Sequence, residues 1–486
     1  MPPNILVIFV DNQPANMMGC SGNTEIRTPN LDLLARRGVR FSNAFSPNAM
    51  CSPCRASFLT GMMPSQHGIH TWLDDNQMHL WPQGWNALDG IATLPEILST
   101  AGYDTALIGK YHLGRPDVSQ NGFRHWVTMD VGHVLSFYDC DIIDNDKRYV
   151  AKEHSVDFFT QKAIEYVSQS RQGAPFFMAL TYPAPYGHWP SIRGVPDNRF
   201  AELVRNLPMT SVPREGVSKE LLDWMIVRHD KMPGVETGYY NSLARLPNDL
   251  PTLRNFYSQM SMVDDGVGQV VAALEEASIA DETAIIYTAD HGMSLGTHGF
   301  WGHGEDTWPS NMHREGYNVP LLVSDPRRAN TGDVIEVPVS TLDLFTSILN
   351  MAGVEHRQGD RPSESLLSLI EHTDQSAERY VFMEQEETRA VRTQDYLYVK
   401  RFRPTDYNFV DEFYDLVTDP GERQNVINDP NYRQACERAS IRLDRFFERF
   451  SNPRWNLWRG GTVKGNSTRP FLWQEVWGGS WKPLYA

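Results

Sequence analysis

Ile5 to Val10 is an unbroken apolar run rich in β-branched residues, the pattern of a strand covered on both faces in a parallel sheet flanked by helices. The run stops at Asp11-Asn12. Ligands of open α/β sheets sit beyond the carboxyl ends of the strands, so a carboxylate there is a site candidate before any motif is considered. A helix is expected next, with Thr28 as its cap, Pro29 at the first helical position, Leu31 and Leu34 on one face, and Gly38 past its end. A second starts at Thr93, where Glu96 completes a capping box and Gly102 ends the element.

Strand and helix patterns then alternate. Thr105 to Ile108 reads as strand, Val156 to Ser170 as helix, Phe176 to Thr181 as strand, Leu253 to Ala277 as a long helix and Ala284 to Thr288 as strand. That alternation predicts an α/β sandwich. The stretch from Arg193 to Asn248 carries no clear period and is expected to be an irregular excursion near a site mouth. After a helical pattern at Thr341 to Met351, a polar segment with Pro and Gly, Arg357 to Pro362, marks a seam. Beyond it Val391 to Arg401 and Glu412 to Leu416 read as antiparallel strands, and Tyr432 to Phe450 as a helix packed on them. The expected organisation is a large domain, 1–365, and a smaller one, 366–486.

Composition narrows the partners. Apolar residues make up 41% of the 486 and charged residues 21%, ordinary for a globular chain, and no stretch is long and apolar enough to span a bilayer. The net charge is −16, from 44 Lys and Arg against 60 Asp and Glu. No basic track accompanies it, so nucleic acid is not an expected partner, and any anion site must rest on local cations. The five cysteines form an odd, scattered set, which favours reduced thiols over a disulfide framework. No positively charged leader precedes the first strand, so a cytoplasmic location is expected.

Polar residues at predicted strand ends and helix starts carry the chemistry. In CSPCRASFLTG, Cys51 to Gly61, Ser52 can cap and Pro53 can open a helix. That places Cys51 at a helix N-terminus, where dipole and free N–H groups favour an anion, with Arg55 one turn inside. A buried cysteine on a capped helix is the competing reading. In GYDTALIGKYH, Gly102 to His112, Lys110 offers a point charge and His112 a donor or acceptor. In TADHG, Asp290 and His291 follow another strand.

These residues together resemble the sulfatase family. Cys51, Pro53, Arg55, Phe58, Leu59, Thr60 and Gly61 fill the places of its first signature, and Gly102 to His112 is similar to the second. The likeness continues through TPNLDLLARRGVRF and FYDLVTDPGERQN, Phe413 to Asn425, and so covers most of the chain. It implies an alkaline-phosphatase-like α/β fold with a central, mostly parallel sheet, and a small C-terminal domain with an antiparallel sheet. It further implies oxidation of Cys51 to formylglycine by a maturation enzyme. One divalent cation would be held by Asp11, Asn12, Asp290, His291 and the oxygen at position 51. Oxygen-rich ligation favours Ca²⁺, with Mg²⁺ or Mn²⁺ as alternatives.

The implied reaction is hydrolysis of a small-molecule sulfate ester. Arg55 and Lys110 would hold sulfate oxygens, His112 would assist the nucleophile, and His188, in GHWP, would protonate the leaving group. Two departures stand out. Cys54 sits where the family usually has a small residue, and the segment Gly296 to Pro309 lacks the family's sulfate-binding lysine, leaving His303 as the first substitute and Arg314 as the second. Two rival readings keep the same residues: a phosphonate monoester or phosphodiester hydrolase, and a non-catalytic anion-binding relative with unmodified Cys51. Specificity is expected in the loops Trp72 to Trp81 and Arg193 to Asn248. Glu384 to Glu387 reads as a solvated acidic face. The Trp-rich tail, Trp455 to Trp481, is expected to cover its own domain or a second copy of the chain, which makes a homo-oligomer an expectation.

Overall fold

The computed structural model describes residues 2–169, 173–186, 197–234, 238–328, 332–355, 359–372 and 378–484. Its strands, in chain order, are β1 (Asn4–Val10), β2 (Val39–Phe45), β3 (Asp104–Gly109), β4 (His125–Met129), β5 (Cys140–Asp144) and β6 (Lys147–Ala151). They continue with β7 (Phe176–Thr181), β8 (Thr283–Ala289), β9 (Ser294–Leu295), β10 (Trp301–Gly302), β11 (Asn318–Ser324), β12 (Asp333–Ile335) and β13 (Val339–Ser340). Eleven of these form one sheet in the order β12-β2-β11-β8-β1-β7-β3-β4-β5-β6, with β13 beside β2. The centre, β8-β1-β7-β3-β4, is parallel. β11 runs antiparallel between β2 and β8, and β5 and β6 close one edge as an antiparallel pair.

The expected sandwich is therefore present, and its core strands carry the reason. From Ile5 to Val10 every side chain of β1 is buried, which only a sheet covered on both faces permits. Pro29–Arg37, Ser155–Val167 and the long Leu250–Glu276 helix pack as one group, and Cys51–Thr60, Leu94–Thr100 and Leu344–Met351 as another. The capping box at Thr93 forms, with the Thr93 N–H donating to Glu96 at 2.9 Å. Thr28 does not cap its helix. Asp264 of the long helix takes the N–H of Leu31 at 2.8 Å instead, so tertiary contact replaces the local cap.

The excursion before residue 250 is more regular than its sequence suggests, since Lys219–Lys231 is a 13-residue helix. Only Leu221 and Trp224 of it are buried, too few to set a visible period.

The C-terminal sheet is β14 (Val381–Gln385), β15 (Thr388–Arg392), β16 (Tyr396–Arg401) and β17 (Glu412–Asp415), antiparallel in that order. Val391 to Arg401 is thus two strands. The Thr393 hydroxyl accepts the N–H groups of Asp395 and Tyr396, both at 3.1 Å, a side-chain turn that breaks the run. One face of the sheet packs on Ala439, Leu443 and Phe447 of the Arg433–Arg449 helix. The other packs on Phe45, Ala49, Met312 and Tyr317, which joins it to the main sheet.

The acidic run is not a solvated face. Glu384, Glu386 and Glu387 are fully buried, because the Trp-rich tail closes over the β14–β15 hairpin. Glu386 accepts from Ser467, Thr468 and the Trp473 indole, the last at 2.7 Å. Arg469 pairs with Glu387 at 3.1 Å and donates to the carbonyls of Glu305 and Thr307 at 3.0 and 2.9 Å. The tail therefore covers its own chain. Among the described residues no helix is long and apolar enough to cross a membrane.

Candidate active site

Four segments distant in sequence bring their ends together beyond the carboxyl edge of the parallel strands: Asp11-Asn12 after β1, Lys110 to His112 after β3, Asp290-His291 after β8, and the start of the Cys51 helix. Backbone conformation shapes two of them. Asn12 and His112 adopt left-handed φ of 69° and 58°, unusual for residues with a Cβ and characteristic of functional sites. Gly109, at φ 122°, lets β3 approach β7 so closely that a Cβ would lie 2.0 Å from the Thr181 carbonyl oxygen. The next residue, Lys110, is thereby fixed, its N–H donating to Thr181 at 2.8 Å.

The Cys51 helix starts earlier than its sequence suggests. Met50 is the cap and Cys51 the first helical residue. The Ser52 hydroxyl faces away from the helix and accepts the N–H of Leu73 at 3.0 Å. Cys51 is buried, its Sγ 3.5 Å from Asp11 Oδ1 and 3.3 Å from His291 Nε2. Cys54 donates its thiol to the Asn48 carbonyl at 2.8 Å, and burial pushes that thiol far above its ordinary range, so it is a structural hydrogen-bond donor.

Charge is arranged in pairs. Arg55 donates through Nε and Nη2 to Asp290 Oδ2 at 3.1 and 2.8 Å, and through Nη1 to the Lys110 carbonyl at 2.8 Å. Lys110 Nζ lies 2.5 Å from Asp11 Oδ2. Asp290 Oδ1 accepts the N–H groups of Asn12 and His291 at 3.0 and 2.9 Å. Although burial pushes it up, His291, Arg55 and Lys110 together hold the Asp290 carboxyl at about 2. Against burial, the Asp11 carboxylate holds the Lys110 ammonium above its ordinary value.

Asp11, Cys51, Asp290 and His291 each present a ligand atom within 4.8 Å of the others. Two carboxylates and an imidazole so placed suit one divalent ion. His291 is oriented for it, with Nδ1 held by the Gly292 carbonyl at 2.8 Å and Nε2 turned toward Cys51.

The other predicted residues divide. His112 donates Nε2 to the Leu73 carbonyl at 2.8 Å, and burial, Lys110 and His133 push its pKa well down, so it is neutral. His303 lines the same cavity as Cys51, its ring 4.6 Å from that of His291 and edge-on to it. Arg314 is directed elsewhere, donating to Asn318 at 3.2 Å and Asn43 at 3.4 Å, and it does not line the cavity. The short helix it begins, Arg314–Tyr317, leads straight into β11 and turns the side chain toward β2. His188 lies outside the described residues. His67, which is outside the predicted set, fixes a turn, with Nδ1 accepting the Ile69 N–H at 3.1 Å.

The cavity over Cys51, of about 400 Å³, also takes Trp72 and Asn76 from one expected specificity loop and Arg228, Tyr239 and Tyr240 from the other. His133 lines it too, its Nδ1 2.7 Å from Asp75 Oδ2 and its ring 4.8 Å from that of His112. No motif marks Asp75 or His133 in the sequence. Asp75 follows Trp72 by three positions in a short 3₁₀ helix, and His133 sits in a turn-rich loop.

Residues 3–354 match the sulfatase family model. The chain belongs to the sulfatase family. It is thus a sulfuric ester hydrolase by class, and residues 299–448 of this sulfatase match the model described as the C-terminal part of N-sulphoglucosamine sulphohydrolase. The sulfatase is 26% identical to an N-acetylglucosamine-6-O-sulfatase of Bacteroides thetaiotaomicron, over 88% of its own length and 83% of the relative's. It is 29% identical to human N-sulphoglucosamine sulphohydrolase, over 73% and 62% of the two chains. Its fold is shared with a protein solved with its substrate D-glucosamine-2-N,6-O-disulfate, at a TM-score of 0.68, 24% identity, and coverage of 93% and 98%. It is also shared with the phosphonate monoester hydrolase of Agrobacterium radiobacter, at a TM-score of 0.69, 18% identity, and coverage of 93% and 96%.

Proposed function

We propose that this sulfatase hydrolyses a sulfate ester of a sugar through formylglycine formed at position 51, with one divalent cation, Ca²⁺ in preference to Mg²⁺ or Mn²⁺. The convergence of Asp11, Cys51, Asp290 and His291 within 4.8 Å, beside two buried cations, carries the reading. The sugar is supported by relatives whose names specify sulfated glucosamine.

Once oxidised, position 51 would supply a hydrated aldehyde, one hydroxyl oxygen of which would bond to sulfur as the bond between sulfur and the ester oxygen breaks and the alcohol leaves. Asp11, Asn12, Asp290 and His291 would hold a divalent cation, which would supply charge favouring the ionised form of that hydroxyl. The rest falls to the chain. Arg55 and Lys110, buried and charged, hold sulfate oxygens where negative charge grows during transfer, and a dry site makes each worth more than in water. Neutral His112, its Nδ1 facing no hydrogen-bond partner among the described residues, is a proton acceptor for the second hydroxyl when sulfate leaves. His303 stands beside His291 where the family's lysine is missing, and is assigned to the sulfate. His188 is assigned the leaving-group proton.

Steady-state kcat/KM for glucosamine 6-sulfate, nitrophenyl sulfate and a phenyl phosphonate ester tests the proposal, alongside an intact-mass measurement of the Cys51 peptide. Preference for the sugar sulfate and an aldehyde at position 51 are expected. Preference for the phosphonate would move the protein to the phosphonate hydrolase reading, and an unmodified thiol in active protein would overturn the nucleophile.

A further inference from the structure

Arg228 stands in the cavity over Cys51 and, among the described residues, makes no ion pair. It lies on the Lys219–Lys231 helix, and its guanidinium lies 4.8 Å from the Tyr240 ring and 5.7 Å from the Trp224 ring. Nη1 donates to the Tyr240 hydroxyl at 2.8 Å. Its Nε is buried and has no hydrogen-bond partner among those residues. That atom is sealed off from the cavity, whereas Nη2 makes no hydrogen bond among the described residues and is not sealed off, so it is the donor left for a ligand's acceptor.

The platform beneath it is rigid. Trp224 stacks on Trp308 at 5.4 Å, and Arg469 of the C-terminal tail lies 4.4 Å from the Trp224 ring. Arg228 is therefore held in place rather than free to seek solvent. The nearby carboxylates are already engaged. Asp306 accepts from the His303 N–H at 2.6 Å and the Tyr239 hydroxyl at 3.0 Å, and Glu305 from Thr71 and Gln385 at 2.8 and 3.0 Å. Burial pushes both up, to about 7 and about 8, so neither cancels the guanidinium fully at neutral pH. At about 400 Å³ the cavity has room beyond a sulfate group for a sugar ring.

We infer that Arg228 is a specificity-determining residue that binds a second anionic substituent, a sulfate or carboxylate, on the sugar whose sulfate ester is cleaved at position 51. The inference rests on the hydrolase reading for the cleaved ester but not for binding. A guanidinium N–H with its positive charge suits the oxygens of either anion.

Binding is measured by calorimetry on the Cys51→Ala protein, so that turnover is not required, with Arg228→Ala and Arg228→Lys added. The ligands are glucosamine 6-sulfate, glucosamine 2-N,6-O-disulfate, a sulfated hexuronate, and a sulfate ester of a quaternary-ammonium alcohol. The preference for the doubly anionic sugars over the singly sulfated one should fall about 10- to 100-fold in Arg228→Ala and be partly kept in Arg228→Lys. Loss on the disulfate alone or on the hexuronate alone identifies the anion. An unchanged preference, or tighter binding of the cationic ester than of the anionic sugars, overturns the inference. If binding discriminates as expected while the oxidised wild type cleaves none of the four, the hydrolase reading fails and the subsite stands.

Discussion

Lys110 Nζ and Asp11 Oδ2 meet at 2.5 Å with neither side chain exposed, although 99 positions separate them. Removing Asp11 leaves the Lys110 ammonium buried without its carboxylate, a loss of about 3–5 kcal/mol, and removing Lys110 leaves Asp11 with Arg55 Nη2 alone, at 3.8 Å. Asp11→Asn and Lys110→Met should each show it in urea unfolding, and both should abolish ester hydrolysis. The double variant should lose far less than the sum, since no orphan charge remains. Additive losses would show that the pair is not coupled.

Cation binding to the folded site alone should stabilise the protein. Saturation at about 100 times Kd adds about 2.7 kcal/mol, read as a rise in Tm when Ca²⁺ is returned to chelated protein. His291→Ala should remove most of that rise while leaving the chelated Tm near that of the parent. A full rise in the variant would place the ion elsewhere.

The two sheets are linked through a pH-sensitive contact. His313 Nδ1 lies 2.9 Å from Glu422 Oε2. Burial works against its charge, but the bond to Glu422 holds the imidazole above its ordinary value. The resulting stability is complete below the ordinary histidine pKa and is lost as pH climbs through the raised one. Tm should therefore fall as pH rises above about 6.5, and His313→Gln should flatten that slope. An unchanged slope would assign it to other groups.

Arg469 ties the tail to the loop that follows His303, through the carbonyls of Glu305 and Thr307. Arg469→Met should cost about 3 kcal/mol by orphaning Glu387. It should also raise KM more than it lowers kcat, because Glu305 and Asp306 of that loop line the cavity and, on the proposed function, would meet the sugar rather than the sulfur. An equal fall in kcat would place Arg469 closer to the chemistry.

Much of this was legible in the chain itself. Ile5 to Val10 and Phe176 to Leu180 are continuous apolar runs and Ala284 to Tyr287 is a shorter one, and the ends of β1 and β8 carry the candidate site, so periodicity and motif pointed to the same residues. What escaped depends on long-range partners. Thr28 lost its capping role to Asp264, 236 positions away by number, and Glu386 is buried only because a tail that begins to bond it 81 residues later covers it. Arg228 sits on a helix with two buried apolar residues, so neither its helix nor its place in the cavity had a local signal. Arg314 looked suitable by position, and only the turn into β11 shows it pointing toward Asn43 and Asn318.

Asp11, Asp290, Arg55 and Lys110 sum to zero charge, so the site can assemble with the rest of the fold before any cargo arrives. A dication entering that neutral quartet leaves an excess of two positive charges, and an anionic ester removes one of them. The two ligands should accordingly help each other to bind, by equal factors in either order. Ester affinity should thus rise with free Ca²⁺, and the apparent Ca²⁺ affinity should rise by the same ratio when ester is present.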